Sequence, residues 1–136
     1  MKKKILVVVA NYYKDISADL TIQAKAILLK NKLKNDLITV PGVFEIPVII
    51  SKNIKKYDGF IALGCVIKGE TPHFDFISKA ATDAIMKLSI DNKKPIGNGI
   101  ITALNKEQAE ERANPKNKDK GGEAAKAIIS LFKKLV

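Results

Sequence analysis

The 136-residue chain has no tryptophan, one cysteine, one histidine and a single arginine. Each scarcity excludes something. A lone Cys65 rules out an intrachain disulfide framework, and its apolar surroundings read as a buried thiol. One histidine and one cysteine leave no ligand set for a typical zinc site, so no metal is expected. No apolar run reaches membrane-spanning length. The opening MKKKILVVVA joins charge to apolar residues, but Asn11, Tyr12 and Tyr13 follow it and no small-residue cleavage site does. We therefore read it as a strand rather than a signal peptide, and expect a cytoplasmic protein without a membrane partner. No GxGxxG follows that strand and no Walker A motif occurs. Ser17, Ser51 and Ser78 fall in expected helices, without a nucleophile elbow.

What is abundant is lysine, which supplies nearly all of a formal net charge of +10. Such a balance raises nucleic-acid binding. However, the lysines are spread along the sequence, no basic and aromatic interleaving occurs, and base-reading arginines are missing. The expectation is a solvated lysine surface with no nucleic-acid partner, able to attract small anionic substrates. Apolar residues make up 46%, enough for a packed core. The length suits one domain, residues 1–136, with no linker or repeat.

Periodicity predicts strands at Lys4 to Ala10, Leu37 to Val40, Phe60 to Val66 and Ile96 to Ala103. Helices are expected at Ile16 to Leu33, from Phe44 or Glu45 to about Ile54, from about Phe74 to Ser89, at Lys106 to Ala113 and at Glu123 to Leu135. Asp15 or Ser17 is the expected cap of the first helix, and Asn105, with Gln108 three residues on, that of the fourth. Asn35 and Asp36 read as a turn. Expected core faces are Ile16, Leu20, Ala24, Ile27 and Leu28 on the first helix; Phe76, Ile77, Ala80, Ala84, Ile85 and Leu88 on the third; and Ala124, Ala127, Ile128, Leu131 and Leu135 on the last. Strands alternating with helices imply parallel strands with right-handed crossovers. The fold class is α/β, a three-layer α/β/α sandwich on a four-stranded parallel sheet.

Chemistry concentrates in ALGCVIKGETPHFDF, Ala62 to Phe76. A continuous apolar run suits a strand covered on both faces. It breaks at glycine, lysine, glutamate, threonine, proline and the single histidine, as a strand does at a polar ligand site. His73 can exchange protons near neutral pH. The Gly69, Glu70, Thr71 turn offers amides, a hydroxyl and a helix N-terminus to an anion.

Three runs carry a resemblance: VPGVFEIP at Val40 to Pro47, GCVIKGETPHFDF at Gly64 to Phe76, and NGIIT at Asn98 to Thr102. With EQAEERA and KGGEAAKAI they resemble, in order and over nearly the whole chain, the lumazine synthase family. That resemblance implies flavodoxin-like layering and no metal or redox cofactor. It implies condensation of 5-amino-6-(D-ribitylamino)uracil with 3,4-dihydroxy-2-butanone 4-phosphate, giving 6,7-dimethyl-8-ribityllumazine, phosphate and water. It also implies a homo-oligomer with sites between adjacent subunits. The pentamer is the minimum unit, and closure into a capsid of sixty subunits is left open. Carried across residue by residue, Tyr12 stacks on the pyrimidine. Gly42, Val43, Phe44 and Glu45 meet the ring and ribityl chain, and Cys65, Val66 and Ile67 line the pocket. Gly69, Glu70 and Thr71 hold phosphate, and His73 moves protons. Arg112 binds phosphate from the next subunit, and Lys120 and Glu123 lie near the ribityl and phosphate region. Two positions depart: Tyr13 stands where asparagine is common, and Asn98 where many members carry a second aromatic over the ring. The alternative is an oligomer that binds ribityl or flavin-like ligands without catalysis.

Overall fold

The computed structural model describes residues 3–135. Its sheet comprises β1 (Lys4–Ala10), β2 (Lys34–Val40), β3 (Gly59–Ile67) and β4 (Ile96–Ala103), in the order β2-β1-β3-β4. Every pairing is parallel. The helices are α1 (Lys14–Lys30), α2 (Ile46–Lys52), α3 (His73–Asn92), α4 (Lys106–Ala113) and α5 (Lys120–Lys134), with a 3-10 turn at Val43–Glu45. The arrangement is the expected α/β/α sandwich.

Alternation along the strands divides the core into two layers. Ile5, Val7, Val9, Ile61, Leu63 and Ile101 point to one face, covered by α1, α4 and α5 through Leu20, Ala109, Ala124 and Ile128. Leu6, Val8, Phe60, Ala62 and Val66 point to the other, under α2 and α3 through Ile46, Ile50, Ala81 and Ile85. With both faces covered, β1 and β3 contain almost no exposed residue, which is why their sequences show no polar alternation.

Several boundaries differ from expectation. α1 starts earlier, at Lys14, and ends earlier, at Lys30. Neither Asp15 nor Ser17 caps it: Tyr13 holds the cap position, and buried Ser17 donates its hydroxyl to the Lys14 carbonyl at 3.0 Å. Asn35 and Asp36 belong to β2 rather than a turn, because pairing with Ile5 and Leu6 of β1 extends the strand. α2 is shorter than expected, with Pro47 tolerated in its first turn. Asn105 caps α4, accepting from the Gln108 amide at 2.8 Å, as expected.

The α5 start is the largest revision. Asp119 accepts from the Gly122 amide at 3.2 Å and starts the helix at Lys120, before the two glycines and ahead of the expected Glu123. There a Cβ on Gly121 would collide with the Leu20 carbonyl of α1, so absence of a side chain is what lets the helices touch. On α5, Ala125 is buried and Ala127 exposed, and Leu131 and Leu135 lie on the surface, while Phe132 packs onto the core in their place. On α3 the buried positions are Ala81 and Ile85, with Phe76 69% exposed and Ala80 exposed.

Candidate functional site

Two hollows hold most of the expected site residues. The first is a cleft of about 410 Å³ beyond the carboxyl ends of β1 and β3, the place where ligands meet a parallel sheet. Tyr12, Tyr13, Gly42, Val43, Phe44, Glu45, Cys65, Val66, Ile67, His73 and Ile77 line it. Its volume lies in the range of small-molecule sites.

The backbone explains this convergence. β1 ends at Ala10, and the chain must turn before α1, which lifts Tyr12 into the open, 74% exposed. Its ring meets Tyr13 edge to face, with centroids 4.9 Å apart and planes at 79°. Tyr13 is half-buried against the α1 layer. Burial, with Cys65 and Tyr12 nearby, raises its phenol above the ordinary range, so it stays a neutral hydrogen-bond donor. The 3-10 turn reaches the cleft because Gly64 in β3 has no side chain: a Cβ there would lie 2.8 Å from Val43 Cγ2. Val43 can therefore bury itself while exposing Phe44 and half-exposing Glu45 at the rim. Glu45 Oε1 sits over Gly42, 3.1 Å from where a Cβ would stand.

His73 is the first residue of α3, solvent-exposed, its amide 3.4 Å from the Thr71 hydroxyl. At that end the Asp75 and Phe76 amides turn back to the Pro72 carbonyl at 3.1 and 3.2 Å. Gly69, Glu70 and Thr71 are exposed just before it. Lys68 is fixed ahead of them by a 2.9 Å bond from its amide to the Ala103 carbonyl.

Cys65 forms part of the cleft wall. Burial pushes its thiol from 9.0 up to about 11. The group is neutral across physiological pH and serves as packing. The fold favours the protonated thiol, so its contribution is complete below the unfolded value and fades as pH rises toward the folded one. At pH 8 the native thiolate fraction is about 100-fold below that of an ordinary cysteine. Labelling by a disulfide reagent should therefore run about 100-fold slower in native than in urea-unfolded protein. Equal rates would show that Cys65 is neither buried nor perturbed.

The second hollow, about 250 Å³, lies against the edge strand β4 and is lined by Ile100, Ile101, Thr102, Arg112, Lys118, Lys120 and Glu123. α4 supplies Arg112, whose Nη1 donates to the Gln108 carbonyl at 3.2 Å, and the α5 start supplies Lys120 and Glu123. Three cations face one carboxylate, a setting for an anion. The chain thus gathers the ring-side residues and His73 in one cleft and places Arg112, Lys120 and Glu123 at another. Asn98 lines neither hollow: it is exposed on β4 and its Oδ1 accepts from the Ile100 amide at 3.0 Å.

Sequence reasoning missed Ile77, Ile100, Ile101, Thr102 and Lys118 as lining residues. Ile77 was legible, since it lies one helical turn beyond His73 and so on the same face. Lys118 sits in the Asn114 to Lys120 loop, which is basic enough to meet a phosphate but whose composition singles out no one lysine.

A profile of the 6,7-dimethyl-8-ribityllumazine synthase family matches residues 2–135. The 6,7-dimethyl-8-ribityllumazine synthase of Bartonella tribocorum is 45% identical over 137 residues, covering 97% of this chain and 91% of the relative. That of Novosphingobium aromaticivorans is 45% identical over 131 residues, covering 95% and 94%. That of Beijerinckia indica is 40% identical over 134 residues, covering 96% and 74%. With its parallel four-stranded sandwich and its cleft at the strand ends, the chain belongs to the 6,7-dimethyl-8-ribityllumazine synthase family.

Proposed function

We propose that the chain, acting as one domain in the cytoplasm, joins 5-amino-6-(D-ribitylamino)uracil to 3,4-dihydroxy-2-butanone 4-phosphate, the penultimate step of riboflavin biosynthesis. The observation that carries this reading is the cleft combining an exposed aromatic ring, a carboxylate and the single histidine at a glycine turn. The uracil amine attacks the ketone and loses water to form an imine. Phosphate leaves by elimination, the remaining amine closes the ring, and a second water departs. These steps need two small molecules held together, protons moved and a phosphate neutralised, without a strong nucleophile.

In this reading Tyr12 stacks on the pyrimidine, with Tyr13 holding its ring from the side. Glu45 accepts from ribityl hydroxyls, and Gly42, Val43 and Phe44 shape the floor. Cys65, Val66 and Ile67 offer backbone groups to the ring. Gly69, Glu70 and Thr71 cradle phosphate while His73 carries protons between the reacting carbons and nitrogens. Arg112 reaches that phosphate from the neighbouring subunit, with Lys120, Glu123 and Asn98 at the same junction. A ring of subunits is supported by the separation of the two hollows in one chain. It is also supported by an apolar groove of about 430 Å³ lined by Phe44, Val48, Ala80, Ala81 and Ala84 among others, which a neighbouring copy would bury. The pentamer is the proposed unit.

The test is direct. Supplied with both substrates, the purified protein should release lumazine and inorganic phosphate in equal amounts. Uracil-ligand binding without product at any pH from about 6 to 8, spanning the histidine range, would assign the fold a binding role alone.

His73→Ala should slow single-turnover conversion by roughly 10-fold or more while leaving assembly intact. The loss is moderate because approximation of the substrates supplies much of the acceleration. An unchanged rate constant would reduce His73 to a helix-starting residue.

A further inference from the structure

The lysines that look dispersed in the sequence converge in the fold. In a parallel sheet all strands begin at one end, and the crossover helices finish there. Lys3 precedes β1 and Lys4 opens it, and the α1 to β2 corner carries Lys32 with Lys34 opening β2. The corner ahead of β3 carries Lys55 and Lys56, and the corner ahead of β4 carries Lys93 and Lys94.

These corners touch. Lys4 and Lys34 are register partners on neighbouring strands. The Asp58 amide donates to the Lys4 carbonyl at 2.8 Å, tying the β3 corner to β1. Lys94 Nζ donates to the Ile54 and Tyr57 carbonyls at 2.6 and 2.9 Å, tying the β4 corner to the β3 corner. The face lies opposite the cleft.

The carboxylates at this end are already engaged. Asp36 pairs with Lys4 at 3.3 Å, Asp91 with Lys87 at 2.8 Å, and Asp58 accepts from the Lys4 amide at 2.8 Å. Among the described residues, no carboxylate lies within 4.0 Å of the ammonium groups of Lys32, Lys34, Lys55, Lys56 or Lys93.

Helix dipoles explain a lysine in a last helical turn. They do not explain Lys32 and Lys93, which sit just past α1 and α3 with φ of 59° and 53°. Left-handed positions after a helix are held most cheaply by glycine or asparagine. Both corners accept that conformational cost and place a cation there.

We propose that this basal face is a sequence-independent binding surface for the phosphate backbone of nucleic acid. The chemistry favours that partner over a lipid surface, because the cations stand on short corners without an amphipathic helix to insert. A densely charged strand also releases condensed counterions when lysines neutralise its phosphates. The corners carry no arginine fork, and the one aromatic there, Tyr57, is held by Lys4 over its ring at 5.1 Å, by Phe60 at its edge and by Asp36 at its hydroxyl, so affinity comes from charge and base identity is not read.

The test uses the assembled protein and a fluorescein-labelled oligouridine of about thirty nucleotides, long enough to span several basic corners. Anisotropy should report micromolar binding at low salt, with log K falling against log salt at a slope of about −3, as for about four phosphates on a single strand. The variant combining Lys32→Gly, Lys93→Gly, Lys34→Gln and Lys55→Gln should bind at least about 10-fold more weakly with a shallower slope. Its two glycines relieve backbone strain, so the fold survives, and unchanged lumazine formation confirms that. A control carrying Lys14→Gln, Lys106→Gln, Lys116→Gln and Lys126→Gln makes the same change in net charge elsewhere and should bind like the parent. No binding at low salt, or equal losses in both variants, would overturn the proposal. Binding to phosphatidylserine vesicles in the absence of oligouridine binding would overturn it too, assigning the face to lipid.

Discussion

Replacing Arg112 with alanine should reduce kcat/KM for the butanone phosphate by roughly 100-fold to 1,000-fold, the range for losing one partner of a desolvated charge pair. Affinity for the uracil ligand should hardly change. The only arginine of the chain lies on α4 beside Lys118 and Lys120, in a hollow separate from the His73 cleft. A planar guanidinium grips two phosphate oxygens at once, which an ammonium does not. Arg112→Lys should therefore recover part of the loss but not all. A helix-end cation acting on the dipole alone would make lysine a full replacement. The decisive version uses mixed assemblies. Co-expressed His73→Ala and Arg112→Ala chains should be more active than either variant alone, because a junction can draw its intact histidine from one neighbour and its intact arginine from the other. Light scattering of the same preparation would report the subunit number. Co-assembled rings no more active than the parents, or a fully active monomer, would remove the shared site.

Gly97→Val should leave little folded protein, and Gly97→Ala should lower the melting temperature by about 10 °C, near 3 kcal/mol for a chain of this size. A Cβ on Gly97 would strike the Ala124 carbonyl and come within 3.2 Å of Ile128 Cγ2. The obstacle is helix backbone, which does not swing aside as a side-chain tip does. α5 would have to lift from β4, breaking the layer that also contains Ala125 and Ile128. With a total stability of about 5–15 kcal/mol, such a displacement consumes much of the margin. Gly69→Ala is the control: nothing lies within 4 Å of its added Cβ, and its stability should stay within about 0.5 kcal/mol. Melts followed by circular dichroism at one protein concentration separate the two. A Gly97→Val protein that melts like the parent would show that α5 docks less closely than described.

The sequence by itself determined the order of elements and the strand-end chemistry. Unbroken apolar runs in β1 and β3 are legible because burial on both faces removes every polar position, and Asn105 with Gln108 announces α4 because capping is local. The run around His73 was readable for the same reason: glycine, proline and histidine act through their own backbone and side chain. What lay beyond reach depended on contacts between distant segments. Asn35 and Asp36 look like a turn until β1 supplies partners for their amides. Gly121 looks like loop until Leu20 of α1 comes so close that a side chain would not fit. Asn98 matches a ring-facing position, yet on the open edge of β4 its side chain turns back to the Ile100 amide. The charge is the clearest case. Lysines scattered through the sequence meet at one end of the sandwich, because parallel strands joined by crossovers bring every second corner to the same face. Only that topology could turn a diffuse composition into a surface.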